Sequence, residues 1–247
     1  MADDIIAGRN PVLEVLRSDR DINKVWLQEG TEKGVGSQIL ALAKKRGVQV
    51  QMIPKQKMSQ LTDQVHQGVA AQVAAYQYAE LEDLFKAAEE KGEDPFFLIL
   101  DELEDPHNLG SIMRTADTVG AHGIIIPKRR AVGLTATVAK ASTGAIEHVP
   151  VVRVTNIVRT IEDLQKRGVW IFGTDASAKE DYRSMDPTLP LALVIGSEGR
   201  GISRLAVEKC DFLVSLPMRG HVTSLNASVA ASLLMFEVLR KRLPLGK

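Results

Sequence analysis

A chain of 247 residues that is 45% hydrophobic and 25% charged has the composition of a soluble globular protein, long enough for one large or two ordinary domains. Its formal net charge of zero gives no overall signature of nucleic-acid binding, although local Lys and Arg placement can still build a basic face. A single cysteine, Cys210, excludes an internal disulfide and a cysteine-based metal site; the five histidines show no ligand spacing, so no metal is expected, and no apolar run approaches the ~20 residues that cross a bilayer.

The acidic opening MADDIIAGRN lacks an apolar signal core, so a cytoplasmic protein away from membranes is expected. Residues 1–75 alternate between short strands and helices. Asn10-Pro11 reads as a cap and first helical residue for a helix over 12–16, residues 24–27 as a strand, and Ser37 as the cap of a helix to 45 closed by Gly47. A strand over 48–53 ends at Pro54, and a helix over 58–65 and a strand over 68–75 follow. The acidic, helix-prone stretch 76–94 reads as a linker containing a helix.

From Pro95 the strands become continuous apolar runs: 96–100, 123–127, 149–152, 169–174, 191–196 and 211–216. Runs without polar alternation predict strands buried on both faces, hence a mostly parallel sheet between helices. The helices fall at 109–119 before Gly120, at 135–142, at 157–167 after Thr155 or Asn156, and at 227–239 after Asn226. The chain is therefore a small α/β domain (1–75), a linker (76–94) and a larger α/β domain (95–247).

In an open parallel sheet, ligands bind beyond the carboxyl ends of the strands. One such loop, GSEGRGIS, concentrates Gly196, Gly199 and Gly201; its GxxGxG spacing and late position match neither the dinucleotide fingerprint nor a phosphate-binding P-loop. A second, DELEDPHNLGSIMRTA, places Asn108 to cap its helix and Arg114 further along, on a different face. Glu198 is a candidate partner for such an arginine or for a ribose hydroxyl. A third, LPMRGHVTSLNASVAASLLMFEVLR (216–240), breaks at Pro217 and Gly220 and restarts at Ser224 and Asn226 as a long apolar helix. The loop Thr174-Asp175-Ala176 lies at the same edge, and Lys128-Arg129-Arg130 is a tight basic cluster.

Taken together, DPHNLGSIMRTA (105–116), LVIGSEGRGIS (193–203) and SLPMRGHVTSLNASVAASLLMFE (215–237) resemble the three motifs of the SpoU class of RNA ribose 2′-O-methyltransferases, in the SPOUT superfamily and also called the TrmH family. The segments IAGRNPVLEVL (6–16) and HQGVAAQVAAY (66–76) resemble the substrate-binding, ribosomal-protein-like domain of RlmB-type enzymes. The resemblance implies a SPOUT-type parallel sheet closed by a C-terminal trefoil knot. It further implies S-adenosylmethionine as methyl donor, a guanosine ribose in the peptidyl-transferase region of large-subunit rRNA as target, and a homodimer packed through the knotted domain. The alternatives are the same reaction on tRNA and a noncatalytic RNA-binding relative. Carried over by position, Gly196, Leu216 and Leu225 contact the cofactor, with Met218 and Thr174 behind them. Asn108, Arg114, Glu198, Ser224 and Asn226 match the polar active-site positions. In this family the motif arginine is given the role of general base; an arginine held protonated on the target phosphate is the competing role.

Overall fold

The computed structural model describes residues 5–18, 20–62, 65–74, 76–221 and 224–243. The chain divides into two compact units, Met1–Gln77 with Gly133–Thr137, and Tyr78–Val132 with Val138–Lys247.

The first unit holds strands β1 (Ile5–Ala7), β2 (Ile22–Gln28), β3 (Val50–Ile53) and β4 (Val69–Val73) in the order β1-β4-β2-β3. β4 runs antiparallel to β1 and β2, and β3 runs parallel to β2. Strand alternation sorts the side chains. Val25, Leu27, Val69 and Ala71 point to a core shared with helices α1 (Arg9–Arg17) and α2 (Val35–Lys45), whereas Trp26 and Ala70 meet Met58 of α3 (Lys55–Leu61) on the other face. Helix boundaries shift from expectation. α1 is preceded by Gly8, so Pro11 sits in its first turn, where no intrahelical N–H is lost. α2 is preceded by Gly34, and the Ser37 hydroxyl bonds back to the Gly34 carbonyl at 2.7 Å instead of capping. Residues 63, 64 and 75, expected to extend α3 and β4, lie outside the described residues.

The second unit is built on a seven-stranded sheet. Its strands are β5 (Phe96–Leu100), β6 (Gly123–Pro127), β7 (Val151–Val154), β8 (Trp170–Thr174), β9 (Glu180–Asp181), β10 (Leu191–Ile195) and β11 (Phe212–Ser215). The order is β7-β6-β5-β10-β8-β11-β9, and each pairing is parallel. Every residue of the two central strands β5 and β10 is buried, as unbroken apolar runs require. Helix α6 (Ala136–Ser142) follows β6 in the chain, and Phe97, Ile99, Ala192 and Val194 face a core with α4 (Leu81–Lys91), α7 (Ile157–Lys166) and α8 (Arg204–Val207). The alternate residues face the opposite side, where α5 (Pro106–Val119) packs on α9 (Ala227–Arg242) and α9 packs on β10. The two-residue β9 and one-turn α8 are too short to leave a pattern in the sequence.

The stretch 76–94 is not a linker. Its helix α4 buries Leu84 and Ala88 in the sheet core, and Phe85 meets Phe97 edge-on with ring centroids 5.0 Å apart. Leu81, Leu84, Phe85 and Ala88 recur at helical spacing, a stripe hidden among acidic residues. Gly123 at the start of β6 lets Leu84 descend onto the sheet, since a Cβ there would lie 2.4 Å from Leu84 Cγ.

The far end of α9 is clasped. Arg242 donates to the carbonyls of Pro187 (2.6 Å), Asp94 (2.7 Å), Leu189 (2.8 Å) and Pro95 (3.3 Å). Lys241 donates to the carbonyls of Arg183 and Met185. Cations at a helix C-terminus also oppose its dipole, so one turn of helix holds two separate segments of chain.

Candidate active site

At the carboxyl edge of the second sheet, the loops after β8, β10 and β11 and the first turns of α9 enclose a cavity of about 300 Å³. Such a volume suits a small organic ligand. Ile195, Val214, Leu216, Leu225, Ala230 and Leu234 give it an apolar lining, and its charged lining residues among the described ones are Asp175, Glu198 and Arg200. Thr174, Gly196, Leu216, Met218 and Leu225, the five residues matched to cofactor contacts, all line this cavity. The Thr174 hydroxyl is already engaged, donating to the Val194 carbonyl at 3.1 Å, so its side chain has spent its hydrogen on the sheet.

The glycine loop forms the floor by folding back on itself. Ser197 and Gly201 exchange two backbone hydrogen bonds, at 3.1 and 2.9 Å, and Gly199 and Gly201 take positive φ of 82° and 68°. Gly196 lies directly under this turn. A Cβ there would sit 2.0 Å from Gly201 C and 2.2 Å from Ile202 N, both backbone atoms with no room to yield.

Glu198, projecting from the turn, organises the polar residues. Its Oε1 accepts from Asn108 Nδ2 at 2.9 Å, Asn226 Nδ2 at 2.5 Å and the Ala227 N–H at 3.2 Å. Asn226 Nδ2 also reaches Asn108 Oδ1 at 2.9 Å. Asn226 Oδ1 meanwhile caps α9, accepting from the N–H groups of Ser228 (3.0 Å) and Val229 (3.3 Å). A carboxylate at a helix N-terminus is favoured both by free N–H groups and by the helix dipole. The three side chains thus lock the glycine loop, the start of α5 and the start of α9 into one unit.

Two expectations for these residues fail. Asn108 does not cap α5: the helix begins at Pro106, Asp105 is the cap, with its Oδ1 accepting from the His107 N–H at 2.9 Å, and Asn108 is buried inside the first turn. Glu198 pairs with two asparagines and not with an arginine. Arg114 lies on the exposed side of α5, and among the described residues nothing bonds its guanidinium. Six positions separate it from Asn108, too few for two full turns, so one chain does not bring Arg114 to Glu198. Ser224 lines the cavity as an exposed residue.

Asp175 was not singled out as a site residue, yet it lines the same cavity. Hydrogen bonds from the Ser177 hydroxyl and N–H, both 2.7 Å, hold it below the usual carboxylate range. The Asp-x-Ser spacing at a strand end is the signal that identifies such a turn.

The family model of the SpoU rRNA methylases matches residues 95–236, and that of the RNA 2′-O ribose methyltransferase substrate-binding domain matches 5–79. YacO of Bacillus subtilis (strain 168), named for the TrmH family of tRNA/rRNA methyltransferases, is 68% identical over 99% of this chain and 98% of its own. A Staphylococcus aureus (strain MSSA476) relative of the same family name is 54% identical over the full length of both. Among solved structures, the SpoU methyltransferase AviRb of Streptomyces viridochromogenes, crystallised with AdoMet, aligns with TM-score 0.62 and 26% identity over 97% of this chain and 90% of its own. An AdoMet-bound rRNA methyltransferase of Sinorhizobium meliloti aligns with TM-score 0.60 and 26% identity over 97% and 87%. The TrmH/SpoU tRNA modifying enzyme of A. aeolicus aligns with TM-score 0.56 and 28% identity over 65% of this chain and 83% of its own. A glycine turn braced by Glu198, closed over by the chain's latest helix, is thus set in a sequence matched through both of its units, and the chain belongs to the SpoU methylase family of RNA methyltransferases.

Proposed function

We propose that the chain transfers a methyl group from S-adenosylmethionine to the ribose 2′-hydroxyl of a guanosine in large-subunit rRNA, in the peptidyl-transferase region. The observation that carries this reading is the placing of the Glu198–Asn108–Asn226 cluster at the rim of the apolar cavity, so that one wall serves a cofactor and the next a polar substrate. The cavity's residues fit the cofactor. Gly196 lets the glycine turn fold close over it as the cavity floor, Leu216 and Leu225 offer apolar surfaces to a flat base, and Asp175 supplies a carboxylate beside a cationic ligand. When bound, S-adenosylmethionine supplies an electrophilic methyl group on a sulfonium. Support for rRNA over tRNA is the substrate-binding match over residues 5–79 and the 97% coverage by a structure named for rRNA, against 65% by one named for tRNA modification.

The ribose hydroxyl is a weak nucleophile, so the residues must orient and polarise it. Asn108 and Asn226 fix Glu198 by donating to one carboxylate oxygen, and the cluster as a whole sets the distance between cavity and ribose. Arginine side chains keep their proton in proteins, and we assign Arg114 the holding of the target phosphate. It does so across a homodimer. Arg114 is exposed on α5, and the adjoining helix α9 exposes Val229 (47%), Leu233 (44%) and Phe236 (48%) beside it. A second copy covering that apolar stripe delivers its own Arg114 toward the site. The trefoil knot and a cytoplasmic setting belong to the same reading; the first is supported by a cavity lined by residues 195–202 together with Ser215, Leu216, Met218, Ser224 and Leu225, the second by a lone free thiol at Cys210.

The test is transfer of labelled methyl from S-adenosylmethionine into rRNA and tRNA isolated from cells lacking the gene, followed by mapping of the modified nucleotide. Label confined to tRNA refutes the rRNA target. Cofactor binding with no transfer to either RNA refutes the enzymatic reading.

A further inference from the structure

The basic triplet Lys128-Arg129-Arg130 takes no part in the cavity, yet it is held in an unusual way. It follows β6 at the carboxyl edge of the sheet, next to the loop that leads from β5 into α5 and Asn108, and β5 and β6 pair directly. Four non-glycine residues among the described ones have positive φ, and two of them are Glu102 at 57° and Arg130 at 55°. Left-handed backbone is unfavourable for such side chains and persists where surrounding structure imposes it, often near functional sites. These two residues are bonded to each other, with Arg130 Nη1 donating to Glu102 Oε1 at 2.8 Å. Their exposure is unequal, 72% for the arginine side chain and 23% for the carboxylate.

Both loops are pinned by backbone, through Val132 N–H to the Leu103 carbonyl (2.9 Å) and Lys128 N–H to the Val154 carbonyl (2.8 Å). The guanidinium can therefore change partner while the chain beneath it stays in place. Its contact with Glu102 uses one of five N–H donors.

We propose that Lys128, Arg129 and Arg130 form a phosphate-binding shelf for the RNA backbone beside the site, and that Glu102 masks Arg130 in the free protein by standing where a phosphate would bind. The inference rests on the RNA reading above. A carboxylate and a phosphodiester present the same paired oxygens to a guanidinium fork. An exposed ion pair is weak, so a phosphate backed by Lys128 and Arg129 displaces it, whereas a single glancing phosphate does not. The mask thus lowers affinity for RNA that does not follow the whole shelf, a repulsive contribution to specificity.

The experiment measures binding of in-vitro-transcribed large-subunit rRNA across a salt series, for the unaltered protein and for Arg130→Ala, Arg130→Lys, Glu102→Gln and the Glu102→Gln/Arg130→Ala pair. Arg130→Ala is expected to weaken binding about tenfold and to reduce the logarithmic salt slope by about one, while Arg130→Lys keeps most of both. Glu102→Gln is expected to tighten binding several-fold, and the double variant to behave as Arg130→Ala. Cofactor affinity and melting temperature, measured on each variant, report folding. Loss of RNA affinity in Glu102→Gln equal to that in Arg130→Ala overturns the mask alone, whereas salt slopes unchanged throughout overturn the shelf and the mask with it. Failure of the unaltered protein to bind the transcript overturns the RNA reading and the mask with it.

Discussion

Replacing Gly196 by alanine should open the cofactor cavity without unfolding the protein. The added Cβ would stand 2.0 Å from Gly201 C, 2.2 Å from Ile202 N and 2.3 Å from Gly201 O, where ordinary contact needs 3.4 Å or more. Residues 201 and 202 must therefore retreat by roughly an ångström, a displacement that by itself can cost about 100-fold in a site built on positioning. The retreat breaks the two backbone bonds between Ser197 and Gly201, at about 1 kcal/mol each, and disturbs the buried Ile202. A total near 2 kcal/mol is tolerable against the ~5–15 kcal/mol of a typical domain. For a unit of this size it lowers the melting temperature by roughly 4–8 °C. Calorimetric titration with S-adenosylmethionine should show affinity reduced at least tenfold, alongside that modest thermal shift. Gly199→Ala is the matched control: nothing lies within 4 Å of its Cβ, so it carries only the strain of φ 82°. Cofactor affinity in Gly196→Ala equal to that of the unaltered protein refutes the closure of the cavity by this turn.

Other outcomes follow from the same contacts. Asn226→Ala removes the α9 cap, about 0.5–2 kcal/mol, and two bonds of the Glu198 cluster, so turnover should fall far more steeply than the melting temperature. If Arg114 acts across a dimer, mixing inactive Arg114→Ala with inactive Asn226→Ala subunits restores about a quarter of the activity, since each mixed dimer regains one intact site; action within one chain restores none. A pH–rate profile adds to this: a clamp role gives Arg114→Ala a loss that does not vary with pH, and a base role a loss that does. Arg242→Ala leaves four carbonyls without their donor and should cost about 3–5 kcal/mol in urea unfolding, with lysine recovering less than half. His122 is buried with Nδ1 accepting from the Phe96 N–H at 3.0 Å and Nε2 facing Glu93, and burial foremost, then Lys91, lowers its pKa. The unfolded chain therefore takes up this proton more readily. The stabilisation is complete above the ordinary imidazole value of 6.5 and is lost as pH falls below it toward the depressed folded value, by up to ~1.4 kcal/mol per pH unit. Urea midpoints between pH 7.5 and 5.5 should fall more steeply for the unaltered protein than for His122→Asn.

The parallel sheet was legible because burial on both faces writes strands such as FFLIL and LALVI as unbroken apolar runs. Asn226 was legible as a cap because its local sequence suffices: an amide before an apolar helix. Asn108 has the same local appearance and a different role, because the Asp105-Pro106 pair had already begun the helix and turned the amide inward. The Glu198 cluster joins side chains 90 and 118 positions apart in pairs, and no local pattern encodes such a meeting. The helix α4 was misread because acidic composition outweighed a four-residue apolar stripe. Arg114 shows the limit of local reading: its position in the motif was clear, while among the described residues nothing bonds its guanidinium.

The late helix α9 has a consequence for how activity arises during synthesis. Its first turns wall the cavity through Ala227, Ala230 and Leu234, while Lys241 and Arg242 at its other end grip segments 183–189 and 94–95. A nascent polypeptide that has completed the whole sheet through Ser215 still has no cofactor pocket. The cavity therefore becomes complete only with α9, and a product interrupted before that helix lacks the walls formed by Ala227, Ala230 and Leu234.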